Sequence, residues 1–349
     1  MRMGAFRLAW WNRPAKMANH ETRSLRRRQL GLRQSLTFIL LNTVLVMPVQ
    51  ALMAGDPNGV PTDSPAQRIN ANTKQSPWAG VGSISVRSGV YSGVVIGSRQ
   101  VLTAAHVVAG AAVGDISFNL NLNGDLSQHI AAKEVIIHPD YGKHSFQGIA
   151  LNDLAVIQLA ADLPSSVPRY PLLVEALPIG TVISLVGYGA SGNGLRGVTV
   201  SSNPNVKRVG KNVLDAFAPP PKIFEIPQAY LFDFDGPNVI NTLGGVSLGN
   251  AVETSVASGD SGGPALVSID GQWRVAGINT FQMSLPQRPA APLFGSLGGG
   301  MFVPSYADWI HMAMAKPAAA ATQSDGNLWL SGFVGVIGLV WARRVRREV

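Results

Sequence analysis

Gly259-Asp260-Ser261-Gly262-Gly263-Pro264 sets one serine among glycines, which keep its hydroxyl clear of bulk and let backbone N–H groups come close to a reacting carbonyl. Those residue types are also the ordinary material of tight turns, so the segment means little alone. It gains meaning from two segments upstream. A serine hydroxyl is a weak nucleophile until a base takes its proton, and histidine, which titrates near neutral pH, is the usual base. Leu102-Thr103-Ala104-Ala105-His106 supplies a histidine preceded by small residues that leave its ring free to turn. Asn152-Asp153-Leu154-Ala155-Val156 supplies a carboxylate at the mouth of an apolar run, where it must find donors, and an imidazole N–H is one. His129, His138, His144 and His311 lie in no such setting, and Asp140, in a proline-containing turn, reads as solvated.

The elements that must hold these groups are strands. Gly82–Val86, Tyr91–Ile96 and Val101–His106 alternate or run apolar between Gly and Ser-Arg-Gln breaks, which predicts antiparallel strands and hairpins with His106 at a strand end. Val135–Ile137, Leu154–Leu159 and Thr181–Gly187 continue the pattern, and Gln272–Phe281 and Gly299–Val303 follow the serine. With 38 Gly, 23 Pro and 14% charged residues the chain reads as mostly β with many turns. Pro164 to Pro178 reads as a connection between two halves, and Tyr306–Met312 has helical spacing. Leu231–Gly236 alternates apolar and acidic residues, as a strand with one wet face does; its carboxylates are also of the type that calcium takes.

The three motifs in the order His, Asp, Ser resemble the trypsin/chymotrypsin-like serine proteases, and the resemblance runs from Trp78 to Ile310, about two thirds of the chain. It implies an all-β fold of two six-stranded antiparallel Greek-key barrels packed face to face, with a short C-terminal helix. It implies a serine endopeptidase with His106, Asp153 and Ser261 as its triad, and an oxyanion hole made by the backbone N–H groups of Gly259 and Ser261. Peptides or proteins are then the substrates, and no cofactor is needed. No His-Glu-x-x-His helix is present, so no catalytic metal is expected. The resemblance also puts Ser255 at the floor of the pocket for the residue on the acyl side of the cut bond, with Thr280, Phe281 and Gln282 along the substrate strand and Gly300 as a pocket wall. A neutral floor does not select Arg or Lys, and Gln282 would narrow the pocket toward small or medium apolar side chains. The rival reading is an inactive fold that serves as a surface binding module.

The domain limits follow: barrel one at about 77–172, barrel two at about 178–313, together the peptidase domain 77–313. The ends carry the charge. Residues 1–33 hold nine bases and Glu21; the tail holds Arg343, Arg344, Arg346 and Arg347 against Glu348. Removing them from the formal +8 leaves the middle near −3, which argues against a nucleic-acid partner and for membrane-targeting ends. Residues 1–54 read as a basic lead and a secretory signal peptide, cut after Ala51 or Ala54. Polar residues 55–76 read as a propeptide or linker; there the family's activation cleavage would fall between Arg68 and Ile69 and free an amine for Asp260. Residues 314–327 form a low-complexity tether and 328–349 a hydrophobic segment, apolar over 328–342, ending in arginines. Export machinery, a C-terminal sorting enzyme and the membrane are the partners these ends imply, with the protein in the periplasm, on the surface or secreted. The chain has no cysteine, so its core must hold the fold without disulfides.

Overall fold

A computed structural model describes residues 52–122, 125–219, 227–237, 241–284 and 292–316. The segment through Ala51 and the hydrophobic tail 328–349 lie outside the described residues, as does most of the tether. The first half holds β1 (Val81–Val86), β2 (Gly89–Val95), β3 (Gln100–Thr103), the one-turn helix α1 (Ala105–Val108), β4 (Ser117–Leu122), β5 (Asp125–Ile137), the short hairpin of β6 (Ser145–Phe146) and β7 (Ile149–Ala150), and β8 (Ala155–Leu159). Six of these strands close into an antiparallel barrel in the order β1-β2-β3-β8-β5-β4. β8 is buried along its whole length, so Ala-Val-Ile-Gln-Leu carries no alternation. Its one polar side chain, Gln158, is satisfied by Gln100 and by the carbonyl of Ala313.

The second half holds β9 (Val182–Gly187), the small hairpin of β10 (Ser191–Asn193) and β11 (Gly197–Val200), β12 (Arg208–Val213), β13 (Ala216–Ala218), β14 (Ala229–Asp233), β15 (Pro264–Ile269), β16 (Gln272–Met283) and β17 (Leu297–Phe302). β10 and β11 pair apart, and the other seven form one sheet, β12-β9-β15-β16-β17-β14-β13, rather than the closed six-stranded barrel expected. Its seam is joined outside the ladders: Asn212 Nδ2 on β12 donates to the Asp233 carbonyl on β14 at 2.8 Å and to the Thr254 carbonyl at 2.7 Å. A side-chain amide thus takes the place of ladder bonds at the closure. The chain ends its described course in α2 (Ala307–Ala315), which returns to the first barrel. There Tyr306 and Trp309 flank the His138 ring, and the Tyr306 hydroxyl accepts the N–H of Asn152.

The two halves meet at buried polar and aromatic contacts. Trp78 packs on Trp273 with ring centroids 4.5 Å apart, Tyr188 donates to Val81 O, and Lys207 Nζ donates to Trp78 O at 2.6 Å.

Residues 52–76 are built into the second half, which corrects the linker expectation. Leu52, Met53 and Ala54 are fully buried; the Met53 N–H bonds Ser255 O, and Ser191 Oγ bonds Leu52 O. Farther on, Arg68 and Asp63 form a buried ion pair, with Arg68 also donating to the carbonyls of Val252 and Glu253. A buried pair of this kind persists only when its remaining donors are satisfied, and the two carbonyls do that.

Candidate active site

His106 lies in the first turn of α1, three residues past the end of β3, so the strand delivers it and the helix aims it. Asp153 stands just before β8, which pairs with β3 from Thr103 opposite Ala155. That pairing brings the two motifs to one barrel end. Asp153 Oδ2 lies 2.6 Å from His106 Nδ1, and Oδ1 accepts the His106 backbone N–H at 2.9 Å. Both carboxylate oxygens therefore hold one residue, which leaves His106 Nε2 as the ring nitrogen free to exchange a proton. Asp153 is 5% exposed and the His106 side chain 32%, so the ring faces solvent while its anchor does not.

Ser261 is carried by the turn after Ser258, where Asp260 N–H bonds Ala257 O and Gly263 N–H bonds Asp260 O. Gly259 has φ +89° and Gly262 φ +82°, conformations that glycine adopts without strain. The turn is pressed against the strand that leads to His106. A Cβ added to Gly262 would stand 2.0 Å from Thr103 Oγ1 and 2.3 Å from Ser92 O, so only glycine allows this approach. Ser92 stitches the two halves here: its N–H donates to Ser261 O, and its hydroxyl donates to Gly259 O and accepts from Tyr188 N–H. Among the described residues, Ser261 Oγ makes no hydrogen bond to His106, and the N–H groups of Gly259 and Ser261 donate to no protein group. Catalytic bonds often tighten only when substrate is present.

Asp260 is fully buried and binds the N–H groups of Ala257 and Gly189. Burial pushes its carboxyl well above the usual carboxylate range, while those donors and the charge of Arg208 pull the other way. Among the described residues no cation is in ion-pair contact with it. In the uncleaved chain Arg68 is locked to Asp63, and Ile69, the residue expected to supply an amine, is half-exposed and bridges to Arg208.

A cavity of about 160 Å³ opens beside Ser261, lined by Val256, Ala257 and Ser258 on one side and by Asn279, Thr280, Phe281 and Gln282 on the other. Ser255 is fully buried just before Val256. Gly300 does not line the cavity; a Cβ there would stand 1.8 Å from Ile278 O, so it serves close packing of β17 on β16. Val256, Ala257, Ser258 and Asn279 are lining residues that the sequence did not single out, and Asn279 went unmarked because one asparagine in an apolar strand carries no signal of its own. A larger hollow of about 460 Å³ lies on the other side of His106, bounded by Arg87, Ala109–Ala112 and Asp115. Asp233 and Asp235 are buried, not on a wet face, and among the described residues no three His, Asp or Glu are arranged to hold a metal ion.

The architecture is a chymotrypsin-like fold, mostly β with one closed six-stranded barrel and a short C-terminal helix. The Trypsin family model matches residues 67–216, a span that holds His106 and Asp153 and stops before Ser261. The chain is similar to vitamin K-dependent protein C of Mus musculus, 24% identical over 253 residues that cover 68% of this chain and 50% of that protein. It is similar to CLIP domain-containing serine protease B14 of Anopheles gambiae, 26% identical over 194 residues, covering 51% and 46%. It is also similar to chymotrypsin-like elastase family member 1 of Rattus norvegicus, 24% identical over 241 residues, covering 62% and 78%. The chain spans about half the length of the first two. These matches support the trypsin/chymotrypsin-like family and a serine protease.

Proposed function

We propose that the protein is a serine endopeptidase in which Ser261 is the nucleophile, His106 the general base and acid, and Asp153 the residue that holds the imidazole. The observation that carries the reading is the double anchorage of His106 by Asp153, at 2.6 Å to the ring and 2.9 Å to the backbone, beside a glycine turn that presents a serine. Ser261 Oγ attacks the substrate carbonyl carbon and its proton passes to His106 Nε2. The new negative charge on the carbonyl oxygen is met by the N–H groups of Gly259 and Ser261. The C–N bond then breaks, His106 returns the proton to the leaving amine, and water repeats the sequence on the acyl-enzyme. The neutral Ser255 beneath the cavity favours non-basic side chains. Hydrolysis of a mixed peptide pool tests this: Ser261→Ala should lower kcat by about 10⁴ or more. Equal hydrolysis by the variant would favour the binding-module reading.

The ends of the chain are read as targeting segments. Removal of the signal peptide falls after Ala51 rather than Ala54, because a cut at 54 would discard three fully buried residues. Leu52 would then carry a free ammonium. The Leu52 carbonyl accepts the Ser191 hydroxyl, two residues beyond the Gly189 that binds Asp260, and among the described residues no cation is in ion-pair contact with that carboxylate, so the new ammonium is the candidate partner for it. The arginine-flanked segment at 328–342 serves as a membrane anchor or as a signal for a sorting enzyme. The mature N-terminal mass tests the first point; a start at Ile69 would favour the Arg68–Ile69 cleavage instead.

A further inference from the structure

The cavity beside Ser261 is polar in a way that its neutral floor alone does not convey. Nine buried side-chain atoms among the described residues lack a hydrogen-bond partner, and four of them belong to Ser255, Asn279, Thr280 and Gln282. Asn279, Thr280 and Gln282 line the cavity, and Ser255 adjoins its lining residue Val256. Native folds leave few such atoms unpaired, so a concentration at one pocket calls for a ligand that completes them.

The arrangement of donors and acceptors defines that ligand. Asn279 is 1% exposed and held rigid beside the nucleophile turn, its N–H bonded to Gly263 O and its carbonyl to Gly262 N–H. Its side-chain oxygen accepts the Tyr230 hydroxyl at 2.6 Å. Burial pushes the Tyr230 phenol up, so that hydroxyl keeps its proton and stays a donor. The carbonyl end of the Asn279 amide is thus taken, and Nδ2 is left with N–H bonds to give. Gln282 Oε1 is left as an acceptor, and the Ser255 and Thr280 hydroxyls can do either. A guanidinium or ammonium has donors only and finds no carboxylate here. A carboxylate has acceptors only and finds no cation among the lining residues. A hydrocarbon would leave the atoms of the lining residues Asn279, Thr280 and Gln282 unpaired. A carboxamide offers one carbonyl oxygen to Nδ2 and N–H bonds to Oε1.

We propose that this pocket selects substrates whose residue on the acyl side of the cut bond is glutamine or asparagine. The proposal rests on the endopeptidase reading above and gives it a substrate class. A pocket built to hydrogen-bond a group discriminates strongly against an isostere that lacks it. The test is hydrolysis by the full chain of quenched-fluorescent peptides that differ only at that residue, offered as Gln, Asn, Leu, Ala, Lys and Glu. We expect kcat/KM for Gln or Asn to exceed that for Leu by about tenfold to a hundredfold. Asn279→Leu should shift the ratio toward Leu by about tenfold, and Gln282→Met should move it the same way without touching the Tyr230 bond. A wild-type profile in which Leu or Ala equals or exceeds both amides overturns the inference. So does a profile unmoved by both substitutions. If Ser261 takes up a fluorophosphonate while the profile is apolar, the pocket assignment fails and the endopeptidase stands. If no peptide is cut and no serine is labelled, both fail.

Discussion

Asp153 contributes its two oxygens to a single residue, and this divides its role into two parts. Oδ1 fixes the first turn of α1 through the His106 N–H, and Oδ2 fixes the ring through Nδ1. An asparagine keeps the shape but must turn its NH₂ toward one of these two donors. If it faces the ring, the imidazole is forced into the tautomer whose Nε2 already carries a proton and cannot act as a base. Asp153→Asn should therefore lower kcat/KM by about 10³ to 10⁴ at neutral pH while the thermal midpoint moves little. Parallel kinetics and melting would check this. A loss of activity explained by unfolding alone would mean that Asp153 is only a structural cap. His106 and Asp153 were legible in the sequence because each stood out against its surroundings: a histidine after two alanines, a carboxylate before five residues all destined for the core. Asn279 was not legible, since its meaning depends on Tyr230 and Gln282, which reach it only in three dimensions.

Among the elements, the loop from Asn241 to Glu253 folds over the carboxylates of Asp233 and Asp235. Asp233 Oδ2 binds the N–H groups of Thr242 and Leu243, Glu253 binds the N–H of Asp235 and Leu248, and Asp215 binds the N–H of Asp233. Burial, then the neighbouring carboxylates, raise Asp215 to about 8 and Asp235 to about 7. From the ordinary value of 3.8 up to those values, the unfolded chain has released protons that the folded chain still holds. The stability these two carboxyls contribute should therefore fall as the pH rises from about 4 to about 8. Asp215→Asn should flatten part of that slope, as read from denaturant midpoints at pH 5 and pH 8; an unchanged slope would remove Asp215 from the account. Alternation in Leu231–Gly236 foretold a strand but not this burial, because the polar loop that folds back over it, only nine or ten residues on at Thr242 and Leu243, carries no apolar pattern that marks it as a cover. The seam that Asn212 closes was hidden because a lone asparagine does not announce which carbonyls it will bond.

At the scale of the molecule, the site exists because two halves, each folded around its own strands, press the serine turn onto the strand that leads to His106. Ser92, Tyr188 and Lys207 are the polar residues of that junction, and Lys207 is buried to 1% exposure with its amine on Trp78 O. Burial lowers that amine to about 7, so the junction tolerates the lysine by keeping it close to neutral. The barrel of the first half was readable from period-two patterning and its turns. The packing of residues 52–76 was not, because their Pro, Asn and Asp content is that of a linker and their burial comes from contacts with Ser255, Asn250 and Glu253. The expected cut after Ala51 or Ala54 was left open for the same reason, the apolar Leu52-Met53 reading as the tail of a signal rather than as core.

The central claim is that this junction makes one serine reactive. The most direct test is to treat the full chain, as it matures in its own cells, with a fluorophosphonate and to map the adduct by mass spectrometry, with Ser261→Ala in parallel. The account predicts a single adduct on Ser261, absent from the variant, on a protein whose first residue is Leu52. A folded, processed chain that stays unlabelled, or that carries its label on another serine, would contradict it.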